Sequence, residues 1–337
     1  MKKLLSFLCL LFLSLSLISC KENPNTEPIT PEYIIRFDSV GGTPVPLQNV
    51  LEGEFANKPE DPIRSGYTFE GWFLDGEEFD FTKEIVSNVR LVAKWTKQTS
   101  SLTGYYEPMN GHLDSTFKTT LHKLLKDTHT IKRSYSQLWD DLAKLDQDPN
   151  NKDNILCIYT GRSIPIANRD KGSGGSNIWN REHSWPNSHG FSSQDYYAYT
   201  DLHHLFASEK NINATRGNKD FNYVQNGNHD TYGNKWDNTF FEPRDEVKGD
   251  LARAMFYLVV RYDDPAELDL ELSETATGSS SNKTGQLGIL SVLLEWNILD
   301  PVSEEEKARN EKAYSIQGNR NPFVDYPEWI SYLYPQA

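Results

Sequence analysis

Apolar positions change their spacing several times along the chain. An unbroken apolar run from Leu4 to Ile18 follows Lys2 and Lys3, with small residues at its end. A charged start, a short apolar stretch and small residues after it form the pattern of a removable secretory leader, expected over 1–19. The run is too short for a comfortable membrane span of about 20 residues. Residues 20–31, ending KENPNTEPITP, are polar and Pro-rich and read as a flexible tether. From Tyr33 to Thr96 the period becomes two. Tyr33-Ile34-Ile35-Arg36-Phe37 leads into the turn signal Gly41-Gly42, and Tyr67–Phe73 and Arg90–Trp95 alternate in the same way. A small β module is therefore expected over 32–97. It contains no His cluster, Cys pair or Gly-rich phosphate loop. A small polar linker, 98–104, separates it from the remaining 105–337.

In that last segment the spacing lengthens to three and four. Helices are predicted around Thr116–Leu125, Tyr135–Leu145, Asp250–Asp263, Gly285–Trp296 and Glu304–Tyr314, with a strand at Ile155–Tyr159. In the Asp250–Asp263 helix, Leu251, Ala254, Met255, Leu258 and Val259 share one stripe, and Arg253 and Arg261 lie elsewhere and are expected to tie helices together. A loop rich in Gly, Ser and Asn, 168–177, precedes Asn180-Arg181-Glu182-His183-Ser184-Trp185-Pro186.

Composition narrows the classes. The 337 residues are 37% apolar and 12% aromatic, which excludes a wholly disordered or polytopic membrane chain. The net charge is −14, and it becomes −16 when Lys2 and Lys3 leave with the leader. A global basic surface for nucleic acid is thereby excluded, but a local site is not. Three cysteines, Cys9, Cys20 and Cys157, are too few and scattered for a disulfide framework or a thiolate zinc site. Cys157 sits in an apolar run and is expected to be a buried hydrophobe.

The chemistry concentrates after residue 180. Adjacent Glu182 and His183 offer a hard oxygen ligand and an imidazole base. Neighbours in a strand point to opposite faces, so one shared site needs a bend, for which Pro186 is well placed. A second cluster follows: His203, His204, Asn211 and Asn213. Carboxylate and amide oxygens suit Mg²⁺ or Ca²⁺, whereas several imidazoles would suit Zn²⁺. Both readings stand on the residues alone.

Three resemblances add to this. Leu17-Ile18-Ser19-Cys20 is similar to a bacterial lipobox, which implies lipidation of Cys20 and a membrane-anchored, periplasmic or cell-surface lipoprotein. FDSVGGTPVP at 37–46, RSGYTFEGWF at 64–73 and LVAKWT at 91–96 resemble the internalin-type B repeat. That repeat implies a β-grasp stalk or interaction module with its own surface ligand. REHSWPNSHG at 181–190, DLHHLFASEKNINATRGN at 201–218, KGDLARAMFYLVVRY at 248–262 and QGNRNPF at 317–323 resemble the endonuclease I family, of the His-Me finger (ββα-metal) class.

The endonuclease resemblance implies an α+β fold, mostly helical around a small sheet. It also implies a metal-dependent endonuclease of low sequence specificity that hydrolyses DNA, and often RNA. By motif position His183 would be the general base, and Glu182 and Asn213 the ligands of one Mg²⁺, with Mn²⁺ or Ca²⁺ as alternatives. Arg216 would assist catalysis by meeting phosphate. Arg181, Asn218 and His204 would bind substrate. His203 and His204 are also scaffold candidates. Nothing here implies an oligomer. The competing reading, motivated by the repeat, is a surface adhesin with an inactive nuclease-like domain.

Overall fold

The computed structural model describes residues 31–64, 66–97, 101–172, 177–278 and 284–335. The expected leader, Cys20, most of the tether and the first part of the linker lie outside the described residues.

The alternating module folds as one five-stranded mixed sheet. Its strands are β1 (Glu32–Asp38), β2 (Gln48–Leu51), β3 (Tyr67–Leu74), β4 (Glu77–Glu78) and β5 (Val89–Lys97), in the order β2-β1-β5-β3-β4. First and last strands pair in parallel at the centre, and β5 pairs antiparallel with β3. Alternation sends Ile35, Trp72, Leu91 and Ala93 to one buried face. Edge-to-face contacts of Trp72 with Phe37 at 4.9 Å and Phe69 at 5.5 Å fill it. No helix occurs among the described residues of this module.

The larger segment mixes helices with several small sheets, instead of the single small sheet expected. Helix α1 (Phe117–Thr128) and helix α2 (Leu138–Leu145) come first. A three-stranded antiparallel sheet follows: β6 (Gln147–Asp148), β7 (Asn151–Leu156) and β8 (Ser163–Pro165). The predicted Ile155–Tyr159 strand thus starts earlier and stops before Cys157, whose backbone turns at Gly161. Cys157 is buried, and burial pushes its thiol pKa well up. The hairpin β9 (Trp179–His183) and β10 (Leu205–Glu209) leads directly into helix α3 (Lys210–Arg216). Further two- to four-stranded pieces lie between residues 220 and 288.

Helix α4 (Lys248–Arg261) is the centre of the domain. The sequence predicts a helix with one buried stripe; in the fold every residue except Asp250 is buried. Its polar positions are absorbed by partners: Arg253 donates to Glu306 Oε1 at 2.8 Å and to the Asp300 carbonyl at 2.8 Å. Helix α5 (Leu290–Leu299) packs on it so closely that a Cβ on Gly249 would lie 2.0 Å from the Asp300 carbonyl. Helix α6 (Glu304–Gln317) is capped by Ser303, which accepts from the Glu306 N–H at 3.0 Å, and it ends at Gly318 with φ +98°.

Candidate active site at the β9–β10–α3 unit

The hairpin has a period-two logic. Trp179, Arg181 and His183 share one face of β9, and Asn180 and Glu182 share the other. Trp179 fixes the register by filling a core with Leu138, Leu142, Leu205 and Ala207. Across the pair, His183 lies opposite Leu205 and Glu182 opposite Phe206. His183 ends the strand, and the Ser184 N–H then donates to the His204 carbonyl at 3.1 Å.

Helix α3 packs on the Asn180/Glu182 face. Asn213 donates its amide hydrogens to Asn180 Oδ1 at 2.9 Å and to the Arg181 carbonyl at 3.3 Å. With Nδ2 committed, the Asn213 carboxamide oxygen takes no hydrogen bond among the described residues. Glu182 is buried. Its Oε1 accepts from the Tyr159 hydroxyl at 2.7 Å and from Arg216 Nη1 at 3.3 Å. Burial outweighs both partners and raises its carboxyl pKa to about 7.

On the other face, His183 sits among Tyr135, Tyr199 and His204. Its ring is nearly parallel to Tyr135, with centroids 6.1 Å apart, and meets Tyr199 edge-on at 5.0 Å. Its Nε2 is 2.9 Å from the Tyr199 carbonyl oxygen. A carbonyl only accepts, so Nε2 carries the hydrogen and Nδ1 keeps its lone pair. Burial first, and His204 next, lower the His183 pKa to about 3, so the ring is neutral at pH 7.

The remaining sequence-predicted residues fall as follows. Arg216 is fully buried; it donates to the His183 carbonyl at 2.8 Å and to the Ser184 carbonyl, with its plane 4.7 Å over Phe221. Arg181 is clamped between rings, 3.5 Å from the Tyr135 centroid and 4.1 Å from that of Trp139. His204 is fully buried, with Nε2 2.7 Å from the Ala198 carbonyl. Asn218 is half-buried in the turn after α3. The structure therefore gathers Glu182, Asn213 and Arg216 on one side of β9, and Arg181, His183 and His204 on the other.

Sequence reasoning missed Tyr159, Tyr199 and Asp201. Tyr159 closes an apolar run and carries no polar signal. Tyr199 acts through its backbone carbonyl, which no side-chain pattern reports. Asp201 is fully buried, and its carboxylate accepts from Tyr257 and Tyr262 hydroxyls, both at 2.7 Å, from Gln317 at 2.8 Å and from the His203 N–H at 3.0 Å. His203 Nε2 in turn meets the Asn319 carbonyl at 2.9 Å. The segments 201–218, 248–262 and 317–323, far apart in sequence, meet at this one carboxylate.

A hard cation fits the donor set. Glu182 Oε2 and Asn213 Oδ1 take no hydrogen bond among the described residues, and a carboxylate and an amide oxygen are donor types that Mg²⁺ accepts beside its retained waters. Burial has left Glu182 short of compensating positive charge, which a cation would supply. No group of three or more His, Cys, Asp or Glu side chains forms a metal cluster among the described residues.

The family model for Endonuclease I matches residues 114–328, and that for the Listeria-Bacteroides repeat domain matches residues 33–94. An extracellular ribonuclease of Bacillus subtilis (strain 168) is 42% identical over 235 residues, covering 68% of this chain and 78% of that protein. One of Bacillus amyloliquefaciens is 42% identical over 233 residues, with the same coverage. With the later motifs joined at Asp201 and the first two forming the β9–β10–α3 unit, the chain belongs to the Endonuclease I family and is a nucleic-acid phosphodiester hydrolase.

Proposed function

We propose that the protein is a secreted, lipid-anchored, metal-dependent endonuclease that hydrolyses phosphodiester bonds of RNA and DNA with little sequence preference. The observation that carries this reading is the His183–Tyr199 hydrogen bond, which leaves Nδ1 unprotonated at the last residue of β9, where a phosphate at the strand end can meet both faces of the strand. The antiparallel hairpin followed at once by α3 supports the ββα-metal class. The names of the two Bacillus relatives support RNA as a substrate. The order Leu17-Ile18-Ser19-Cys20 supports the anchor, and no helix among the described residues is long and apolar enough to cross a membrane.

His183 Nδ1 takes a proton from water as that water's oxygen bonds to phosphorus; the bond to the 3′ oxygen breaks, and solvent returns a proton to it. A phosphate dianion or diester beside the ring raises the imidazole pKa from its low value in the free protein, which improves it as a base when substrate is present. Glu182 Oε2 and Asn213 Oδ1 would hold Mg²⁺ or a related cation. When bound, that cation supplies Lewis-acid stabilisation of the phosphorane and of the leaving oxygen. Tyr159 and Arg216 hold Glu182 in place, and the Tyr199 carbonyl holds the His183 ring. Arg216, enclosed by backbone carbonyls, acts as a positioning residue here.

The test is digestion of plasmid DNA and ribosomal RNA side by side, with Mg²⁺ and with EDTA. Cleavage of both that EDTA stops is expected. No cleavage with any divalent cation would leave the adhesin reading.

A further inference from the structure

Arg253 and Arg261 lie on the same helix, two turns apart, and both are buried. Arg253 uses its whole fork: Glu306, Asn297, Asp250 and the Asp300 carbonyl all accept from it. Arg261 is 5% exposed, yet it makes no hydrogen bond or ion pair among the described residues, and its Nε is buried without a partner. Asp201, whose charge acts on it, is already saturated by Tyr257, Tyr262, Gln317 and the His203 N–H. The C-terminal end of α4 and Asp201 offset part of the charge, but neither satisfies the five donors.

The rings around Arg261 explain its orientation. Its guanidinium carbon is 4.7 Å from the Tyr262 centroid and 5.6 Å from that of Tyr197. Aromatic rings beside a guanidinium leave the N–H edge free for an acceptor. Lys132, an exposed cation, lies 5.6 Å from the same Tyr197 centroid and uses one donor on the Asp195 carbonyl. Tyr197 is 37% exposed and opens the short turn Tyr197–Thr200. Two residues later, Tyr199 of that turn holds His183. A guanidinium fork and an exposed ammonium beside one partly exposed ring make a receptor for a tetrahedral oxyanion.

We infer that Arg261 and Lys132, across Tyr197, form a second phosphate subsite that holds a backbone phosphate of the nucleic-acid strand flanking the bond cut at His183. This rests on the nuclease reading above. It gives a protein of net charge −14 a local cationic hold on its substrate. It also gives Arg261 an acceptor that the fold itself does not supply.

The test uses the full chain carrying His183→Ala, in EDTA, with fluorescein-labelled single-stranded DNA and RNA and anisotropy read across a salt series. Adding Arg261→Met is expected to weaken binding several-fold and reduce the slope of log Kd against log salt by about 0.7, one single-strand phosphate. Arg261→Lys should recover most of the slope, because charge is retained. Lys132→Ala, at an exposed position, should reduce the slope without lowering the melting temperature. An unchanged slope in a folded Arg261→Met protein overturns the subsite. Should that variant melt early, an unchanged slope in Lys132→Ala overturns it instead. Inorganic phosphate that raises the melting temperature through Arg261, with oligonucleotide slopes unchanged, marks a free-phosphate site and equally overturns the assignment to a strand. Failure of the nuclease reading shows separately, as a wild-type chain that cuts neither nucleic acid with any divalent cation.

Discussion

Arg216 Nη1 lies 3.3 Å from Glu182 Oε1 and 2.8 Å from the His183 carbonyl, so one buried cation fixes both adjacent site residues. Its other terminal nitrogen reaches the Ser184 carbonyl. The strand end is thereby tied to the last turn of α3. Removing the cation would leave Glu182 buried against Tyr159 alone. Arg216→Met is expected to lose about 3–5 kcal/mol of stability, the usual cost of breaking a buried ion pair by one partner. Urea denaturation followed by tryptophan fluorescence measures it, and a loss below 1 kcal/mol would contradict this role.

His183→Ala should lower the rate of phosphodiester cleavage by about 10²–10⁴, the range for removing a general base. Binding of a labelled oligonucleotide should change little, since His183 contributes no net charge at neutral pH. Equal losses in binding and in rate would point to collapse of the aromatic surround instead.

Tyr159 touches no substrate in this reading; it donates to Glu182 Oε1 at 2.7 Å, while Asn234 holds its carbonyl at 2.8 Å. Tyr159→Phe removes one hydroxyl and preserves the packing against Phe241 at 4.9 Å. Loss of such an outer partner weakens metal affinity by about 10–100-fold. Titration calorimetry with Mn²⁺ in the absence of nucleic acid reads it directly. Unaltered affinity would remove Tyr159 from the site.

Acid should destabilise the fold through three buried imidazoles, opposed in part by the Glu182 and Asp250 carboxyls that burial raises to about 7. Burial lowers His129 and His204 to about 4 and His183 to about 3, from 6.5. Between pH 6.5 and about 4 the unfolded chain binds protons that the folded chain does not. The imidazoles' contribution to stability is therefore complete above 6.5 and falls as pH drops through that window. Melting temperatures from pH 6.5 to 5 should decline, because three imidazoles outweigh two carboxyls there, and His129→Gln should flatten the decline. A melting temperature constant over that range would show that these rings are not held neutral.

Gly249→Ala should cost about 1–3 kcal/mol, as overpacking does. The new Cβ would stand 2.0 Å from the Asp300 carbonyl, which is backbone and cannot swing aside. A thermal melt of the variant checks this, with an unchanged midpoint as the contrary result.

Much of the fold was legible where polar and apolar positions follow one period. The two-residue alternation of 33–96 gave the five-stranded module, because a half-buried sheet must alternate. The predicted helices all exist, with ends shifted by several residues at α2 and α5, where no cap or period marks the boundary. The sequence reading gives helix α4 one apolar stripe and has Arg253 and Arg261 tie helices together; Arg253 does so through Glu306, whereas Arg261 has no such partner among the described residues. Only their neighbours reveal that both are enclosed. Cys20 and the leader remain a reading of sequence alone.

The sequence by itself determined the order of modules and which residue types can do chemistry: Glu182, His183 and Asn213 stand out for their donor atoms. The tertiary structure decided what each of them faces. The hydrogen on Nε2 of His183 is set by a backbone carbonyl at Tyr199, and Arg216 is turned inward by the carbonyls of His183 and Ser184. Arg261, by contrast, is left without an acceptor because Asp201 is already filled. Side-chain patterns cannot report such things, because they depend on backbone groups and on which acceptors other residues have already taken.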